Sequence, residues 1–208
     1  MDSTTDTRQP RLLKARVRHT RWMAIGLTGV IVLSHPMWNT EGWTHEIVEW
    51  IGYAALILCV LGRAWCSIYI GGRKTDELVS EGPYSLVRNP LYVFSFIGVT
   101  GIGILTGMIT IMIVLIALFA VYYRAVVHRE EAVLEENFGG RYRAYRARVP
   151  GWIPRFALWR AGPDITVNPR FLLYTMRDSA WFFIAFPALE LVEFFQQSGV
   201  IPIVLRLP

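Results

Sequence analysis

The longest stretch of this 208-residue chain without a formal charge runs from Asn89 to Tyr123 and contains 35 residues. As one helix it would be roughly 52 Å long, whereas the hydrocarbon core of a bilayer is ~30 Å thick. An average helix tilt of about 20° cannot absorb that excess. Glycines recur in the middle of the run, so it predicts a tight hairpin of two transmembrane helices that turns between Gly101 and Gly107.

Further apolar segments lie on both sides of the hairpin. Trp22–Thr40 carries no charge and follows basic residues; no small-residue cleavage site follows it, so we interpret it as an uncleaved span. A second span runs from about Ile47 to Ile70 and contains Arg63, which is either a functional charge in the membrane or a side chain reaching the interface. Trp181–Leu189 is interrupted by Pro187 and is either a fifth span or an interfacial helix.

Composition and charge placement agree with this membrane interpretation. The chain is 53% hydrophobic with a mean hydropathy of +0.36, which excludes a disordered protein. Its net charge of +5 reflects basic residues at the ends of spans rather than a nucleic-acid surface. The basic residues before the first span are Arg8, Arg11, Lys14, Arg16, Arg18 and Arg21. Those after the hairpin are Arg124, Arg129, Arg141, Arg143, Arg146, Arg148, Arg155 and Arg160. The positive-inside rule therefore predicts a multi-pass integral membrane protein with a cytoplasmic N-terminus.

We thus expect an all-α integral membrane protein with four to five transmembrane helices. Residues 1–21 form a basic cytoplasmic N-terminus, residues 22–162 form the membrane core with a cytoplasmic segment at 124–160, and residues 163–208 form an extension with one membrane or interfacial helix. Cys59 and Cys66 are about 10 Å apart along one predicted helix, too far for a disulfide. No metal site and no nucleic-acid partner are expected, and the extension could bury a contact between protomers.

The cytoplasmic start of the third span is a candidate anion site. Asn89 suits a helix cap, and Pro90 suits the first helical position because it has no N–H to leave unpaired. Arg88 then lies at the mouth of the span. A guanidinium beside a helix N-terminus suits a carboxylate or phosphate, and contact with lipid phosphate is the alternative.

The helix that continues the fourth span places a carboxylate among apolar residues. Val127, Glu131, Leu134 and Phe138 fall within about 60° of one another around a helix. A carboxylate in such a stripe is costly unless a partner compensates it, whereas Glu130 lies at an intermediate position.

Gly139-Gly140 predicts the end of that helix. Tyr142 and Tyr145 then alternate with arginines, a pattern that suits stacking on a nucleotide-like cofactor or docking on phospholipid headgroups.

Together these segments resemble the isoprenylcysteine carboxyl methyltransferase family, whose plan the phospholipid N-methyltransferases share. The resemblance covers roughly Arg63 to Pro154 and rests on these motifs in order: Gly82-Pro83-Tyr84, Arg88-Asn89-Pro90-Leu91-Tyr92, Glu130-Glu131, Leu134, Phe138-Gly139, Tyr142, Tyr145, Arg148-Val149-Pro150 and Pro154. The family usually has histidine at the position of Asn89. Asparagine does not titrate near neutral pH, so an acid or base role is not expected there.

The resemblance implies an integral membrane enzyme that uses S-adenosylmethionine, with S-adenosylhomocysteine as the product. It places the cofactor on the cytoplasmic side beneath the C-terminal segment, with a lipophilic or lipidated substrate entering from the bilayer. Our hypothesis for the catalytic residues is that Arg88 orients a carboxylate, either the substrate's or the cofactor's own, and that Glu131 holds the cofactor's amino or ribose hydroxyl groups. The cofactor-binding positions that the resemblance implies are Tyr84, Arg88, Asn89, Pro90, Tyr92, Glu130, Glu131, Tyr142 and Tyr145.

Carboxyl O-methylation of an isoprenylcysteine-like or other lipid-like acid is the reaction we expect first. A carboxylate is already ionised at pH 7, and the loss of charge during transfer is favoured in a dry site. N-methylation of a phospholipid or other amine is the alternative and would need a base such as Glu130 or Glu131. Reduction of sterol-like double bonds and a non-enzymatic membrane scaffold are the remaining possibilities.

Overall fold

The computed structural model describes residues 26–37, 42–71, 77–162 and 167–208, and this part of the chain is predominantly helical. Residues 26–33 are helical, and Phe156–Leu158 forms one 3-10 turn. The α-helices that follow are α1 Trp43–Ile70, α2 Pro83–Leu86, α3 Pro90–Leu105, α4 Ile109–Phe138, α5 Gly140–Arg148 and α6 Pro169–Gln197. The prediction of an all-α membrane protein is confirmed.

Two of the described helices are long and apolar enough to cross a membrane. They are the portion His45–Ile70 of α1 and the whole of α4, while α3 is a shorter apolar helix of 16 residues. The turn between α3 and α4 comprises residues 106–108, and Gly107 has a φ of +64°, which favours glycine. The predicted hairpin is therefore confirmed, although α4 continues well beyond the apolar run.

The first predicted span does not continue as a helix to Thr40. The helix over 26–33 gives way to strand β1, Ser34–Pro36, which pairs in parallel with β2, Leu205–Leu207. Pro36 explains the change, because proline disfavours helical geometry at the residue before it. Residues 1–25 and 38–41 lie outside the described part, so the basic N-terminus and both ends of this predicted span do too.

Helices α1 and α3 approach closely because small residues face the partner helix. A Cβ on Gly62 would overlap the Phe94 ring, and one on Gly101 would lie 2.9 Å from the Cβ of Ala55. Such contacts let helices associate in lipid, where apolar side chains gain little by leaving the surroundings. Both cysteines, Cys59 and Cys66, are buried as free thiols.

The C-terminal extension belongs to the same bundle. Helix α6 is much longer than the predicted apolar stretch, begins after a cap in which Asn168 accepts hydrogen bonds from two backbone amides, and continues past Pro187. It packs against α1 and α3, for example through an edge-on contact between the rings of Tyr53 and Phe186 at 4.4 Å. Its inner face therefore reaches the interior of the core.

Candidate active site

The loop that precedes α3 is held by the segment that follows α5. Backbone hydrogen bonds join Gly82 to Arg160, Arg155 to Leu86, and Arg88 to Pro150, with donor–acceptor distances between 2.8 and 3.0 Å. Gly82 has a φ of +57° and lies directly against the Tyr69 ring, so another residue would meet both backbone strain and a clash. These contacts fix the direction in which the chain enters α3.

Asn89 does not cap α3 with its side chain, so that expectation is wrong. Its amide nitrogen instead donates to the carbonyl of Gly151 at 3.1 Å. The side chain therefore contributes to the contact between the loop and the segment after α5. The prediction that α3 begins with proline in its first turn is confirmed.

Arg88 and Glu131, the two residues to which catalytic roles were assigned, form an ion pair with each other. The distance from Nη2 of Arg88 to Oε1 of Glu131 is 3.0 Å, and the two side chains are only 16% and 11% exposed. Nη1 of Arg88 donates to the carbonyl of Arg146 at 3.0 Å. The carboxylate within the apolar stripe of α4 thus has the compensating partner that its position requires.

Two buried polar atoms of this pair lack a hydrogen-bond partner in the described structure, Nε of Arg88 and Oε1 of Glu131, although Oε1 lies in the ion pair. Nε of Arg88 is buried and has no hydrogen-bond partner among the described residues, although Arg88 lines the adjacent cavity. A buried donor without a partner is costly, because desolvation of the N–H is not repaid. Nε of Arg88 is therefore a candidate donor to a ligand in the cavity that Arg88 lines.

Most of the predicted cofactor-binding residues line one cavity of about 240 Å³. They are Tyr84, Arg88, Asn89, Pro90, Tyr92, Glu130 and Tyr145. Glu130 lies near the Tyr92 hydroxyl. Glu131 and Tyr142 are not among the lining residues. Of the two adjacent glutamates, Glu130 therefore faces the cavity and Glu131 holds Arg88.

The two tyrosines of α5 pack inward. Tyr142 and Tyr145 form a small core with Val149, against which the α4 residues Leu134 and Phe138 pack. The hydroxyl of Tyr145 donates to the carbonyl of Tyr84 at 2.7 Å.

Burial, and then the nearby Glu131 carboxylate, raise the pKa of Tyr142 to about 12. Burial likewise raises the pKa of Tyr145. Both hydroxyls therefore stay protonated at neutral pH. Tyr142 is not placed to stack on a ligand in the cavity, whereas Tyr145 lines it.

Part of the cavity surface comes from residues that were not predicted as site residues. Phe171, Thr175 and Asp178 of α6 line it, as does Arg63 of α1. A recognisable signal existed, because Phe171, Thr175 and Asp178 recur at helical spacing and Arg63 interrupts an apolar span.

The guanidinium of Arg63 is held inside the bundle rather than extended to the interface. Its Nε donates to Oγ of Ser179 at 2.8 Å, and its Nη1 donates to Oγ of Ser95. This arginine also lines the cavity, as the alternative of a functional charge within the span requires.

A separate apolar groove of about 460 Å³ lies between α3 and α4. Phe96, Phe119, Trp152 and Ile153 form much of its surface, and Arg124 is the charged residue that lines it. It thus provides a second place where an arginine adjoins a lipophilic surface.

The cavity combines features that suit a ligand with both charges and a flat apolar part. Arg63 and Arg88 supply positive charge, Glu77, Glu130 and Asp178 supply negative charge, and tyrosine and leucine side chains supply apolar surface. S-adenosylmethionine carries a carboxylate, two cationic centres and a nucleoside, so the residues present match its chemistry.

Comparison with known proteins finds a methyltransferase family model and two metal-resistance proteins that resemble this chain. The phospholipid methyltransferase family model matches residues 52–141. The chain is 33% identical over 178 residues to the nickel-cobalt-cadmium resistance protein NccN of Alcaligenes xylosoxydans xylosoxydans, covering 86% of this chain and 83% of that protein. It is 32% identical over 196 residues to the cobalt-zinc-cadmium resistance protein CzcN of Cupriavidus metallidurans, covering 94% and 90%.

A shorter match relates the chain to an enzyme of named activity. Protein-S-isoprenylcysteine O-methyltransferase of Schizosaccharomyces pombe is 33% identical over 94 residues, which covers 45% of this chain and 40% of the enzyme. No solved structure matches significantly.

Proposed function

This chain belongs to the isoprenylcysteine carboxyl methyltransferase-like family of membrane proteins, which is related to the phospholipid methyltransferases, and we propose that it transfers a methyl group from S-adenosylmethionine to a lipophilic acceptor. The observation that carries the proposal is the cavity in which seven of the nine family-matched cofactor positions converge. The names of the two longer relatives specify metal resistance and no reaction, so the proposal rests on the family and the cavity.

Three groups of cavity residues would hold the cofactor. Arg88 would donate from its unpartnered Nε to the carboxylate, and Glu130 would accept from amino or ribose hydroxyl groups. Tyr84 and Tyr145 would lie along the nucleoside. Glu131 would act indirectly, because it fixes the guanidinium of Arg88. When bound, S-adenosylmethionine supplies a methyl group activated by a sulfonium.

The protein's own contribution to such a displacement is alignment and exclusion of water. A carboxylate acceptor needs no base at pH 7, and a site inside a helical bundle favours the loss of opposite charges. We therefore propose carboxyl O-methylation of a lipid-like acid. An amine acceptor would need a base to remove a proton, and Glu130 is the carboxylate that lines the cavity beside Tyr92.

The cheapest test of cofactor binding is the thermal stability of the full-length protein in detergent. A ligand that binds only the folded state raises stability by mass action, so S-adenosylhomocysteine should raise the melting temperature in a concentration-dependent way. Glu130→Gln should reduce its affinity about 10-fold, since a hydrogen bond to a charged group is worth ~1.5–3 kcal/mol. Glu135→Gln is the matched control, because Glu135 lies on the same helix and pairs at the surface with Arg146.

Two results would contradict the proposal. One is the absence of any stabilisation of the unmodified protein by S-adenosylhomocysteine, which the scaffold hypothesis expects. The other is stabilisation by NADPH in its place. If methyl transfer occurs, a radiolabelled product that is hydrolysed by base identifies an ester, and a base-stable product identifies a methylamine.

We also propose that the N-terminus and the cavity face the cytoplasm, as the positions of the basic residues suggest. Arg141 is exposed on α5 and is a suitable position for labelling. An Arg141→Cys variant should react with a membrane-impermeant maleimide in inverted vesicles and not in intact cells. Labelling only in intact cells would show that the cavity faces the opposite side of the membrane.

A further inference from the structure

Arg63 is held within the apolar bundle by residues from two other helices. It lies seven residues before the end of α1, which corresponds to roughly 10 Å along the helix axis. Its guanidinium donates to Ser95 of α3 and to Ser179 of α6. These serines are 2% and 0% exposed. The orientation of the guanidinium is therefore determined by three elements of the bundle.

The two hydroxyls orient the guanidinium without cancelling its charge. Ser95 uses its own proton in a 2.8 Å hydrogen bond to the carbonyl of Leu91, which leaves its oxygen free to accept from Arg63. Both serines are neutral, whereas Arg88 faces the carboxylate of Glu131. Arginine remains charged in proteins, and ionised groups inside a membrane bundle mark binding or transport sites. Arg63 thus presents a fixed positive charge at the surface of the cavity.

Helix α6 supplies the adjoining surface. Phe171 and Thr175 line the cavity, and Thr175 precedes Ser179 by one helical turn, so one face of α6 both forms the surface and positions Arg63. All of α6 lies outside the residues matched by the family model, which ends at residue 141. This part of the site therefore has no assigned role.

We propose that Arg63, positioned by Ser95 and Ser179, binds the carboxylate of the lipophilic acceptor. The inference rests on the proposed methyl transfer. In that reaction, Arg63 would determine which acceptors bind. Nε and Nη1 already donate to the serines, so one edge of the guanidinium is left for a ligand. That edge lies about 10 Å inside the end of α1 and can pair with a carboxylate, whose planar shape matches the guanidinium.

The balance of charge explains how such a residue would favour turnover. One carboxylate oxygen forms a bond to the methyl carbon while the bond from that carbon to the sulfonium sulfur breaks, and its electron pair stays on sulfur. No proton moves. The resulting ester is neutral and no longer attracted to the guanidinium, so Arg63 would favour binding of the acid and release of the product. Its loss should raise KM more than it lowers kcat.

Acid and ester pairs of the same chain provide the test. With full-length protein in a maltoside detergent, we expect palmitic acid and N-acetyl-S-farnesylcysteine to bind at least 10-fold more tightly than their methyl esters. Arg63→Gln should weaken acid binding about 10- to 100-fold and leave ester binding within 2-fold, since a charge-assisted pair is lost. Stabilisation by S-adenosylhomocysteine should persist, because Arg63 is assigned to the acceptor.

Further variants keep the test decisive if Arg63→Gln does not fold. Arg63→Lys should keep part of the preference for the acid, because it retains the charge and loses the planar fork. The double variant Ser95→Ala and Ser179→Ala should weaken acid binding about 3- to 10-fold, since it retains the charge and loses its orientation. Arg124→Gln, in the separate apolar groove, is the matched control and should leave the preference intact.

Several outcomes would overturn the inference. They are an unchanged acid preference in the Arg63 and serine variants, loss of that preference in Arg124→Gln, or loss of S-adenosylhomocysteine binding in parallel with acid binding. Arg63-dependent binding of phosphatidylethanolamine in place of the acids would identify a phosphate ligand. Failure of S-adenosylhomocysteine to stabilise the unmodified protein would instead contradict the proposed function.

Discussion

Two arginines line the same cavity and are held in different ways. Arg88 lies on the side formed by the loop before α3, by α4 and by α5, where Glu131 and a backbone carbonyl bind its guanidinium. Arg63 lies on the side formed by α1, α3 and α6, where two serine hydroxyls bind it. The first charge is compensated within the protein, whereas the second is only oriented. Arg88 therefore combines an internal ion pair with one free donor for the proposed cofactor, whereas the neutral partners of Arg63 suit the proposed binding of the acceptor's carboxylate.

Breaking the Arg88–Glu131 pair should give the largest effect. Glu131→Gln leaves a largely buried guanidinium without its counter-charge, and we expect a loss of about 3 kcal/mol of stability, together with loss of activity. Arg88→Gln combined with Glu131→Gln should cost less than the sum of the single variants, with a coupling of about 1–3 kcal/mol. Thermal and denaturant unfolding in detergent would measure both. Strict additivity would show that the two side chains do not stabilise each other.

Packing on the Arg63 side can be tested at the contact between α1 and α3. A Cβ on Gly62 would overlap the Phe94 ring, so Gly62→Val should cost about 1–3 kcal/mol and displace the helix that carries Arg63. Gly140→Ala is the matched control, because nothing lies within 4 Å of its Cβ position. Equal melting temperatures for Gly62→Val and the unmodified protein would show that the helices do not approach as described.

A smaller effect is expected from Tyr145→Phe on the Arg88 side. The change removes a 2.7 Å hydrogen bond to the carbonyl of Tyr84 and leaves a buried acceptor unsatisfied, which should cost about 1 kcal/mol. Tyr122→Phe is the control, since Tyr122 is 57% exposed. An equal loss of stability in the two variants would show that the hydrogen bond of the Tyr145 hydroxyl does not stabilise the protein.

Of these variants, Tyr142→Phe should change the stability least at neutral pH. Its effect on stability should be seen at alkaline pH. Burial and the Glu131 carboxylate raise the pKa of Tyr142 to about 12, from an ordinary value near 10. The folded state therefore keeps a proton that the unfolded chain loses, and stability should fall as the pH rises from about 10 to 12. Melting curves should show a shallower fall in Tyr142→Phe. An identical slope would show that Tyr142 does not titrate with unfolding.

The sequence predicted those features that depend on residues close together in the chain. The apolar run from Asn89 to Tyr123 is too long for one span, so the hairpin followed from length and glycine position alone. Helical periodicity likewise placed Glu131 in an apolar stripe and required a partner for it. The apolar segments between clusters of arginines predicted a membrane protein in the same way.

Other features depended on which distant segments meet. Asn89 binds Gly151 instead of capping its own helix, because the segment after α5 offers a carbonyl at that position. The helix of the predicted first span ends at residue 33, and strand β1, Ser34–Pro36, exists only because Leu205–Leu207 pairs with it.

The sequence by itself determined the membrane class, the hairpin and a set of residues able to bind a charged cofactor, because hydrophobicity, charge and helical period are local properties. Only the tertiary structure decided that Arg88 faces Glu131 and that Ser179, 116 positions away, orients Arg63. These pairings follow from helix packing, in which close approach and the need to satisfy buried polar groups select one partner among several chemically equivalent residues.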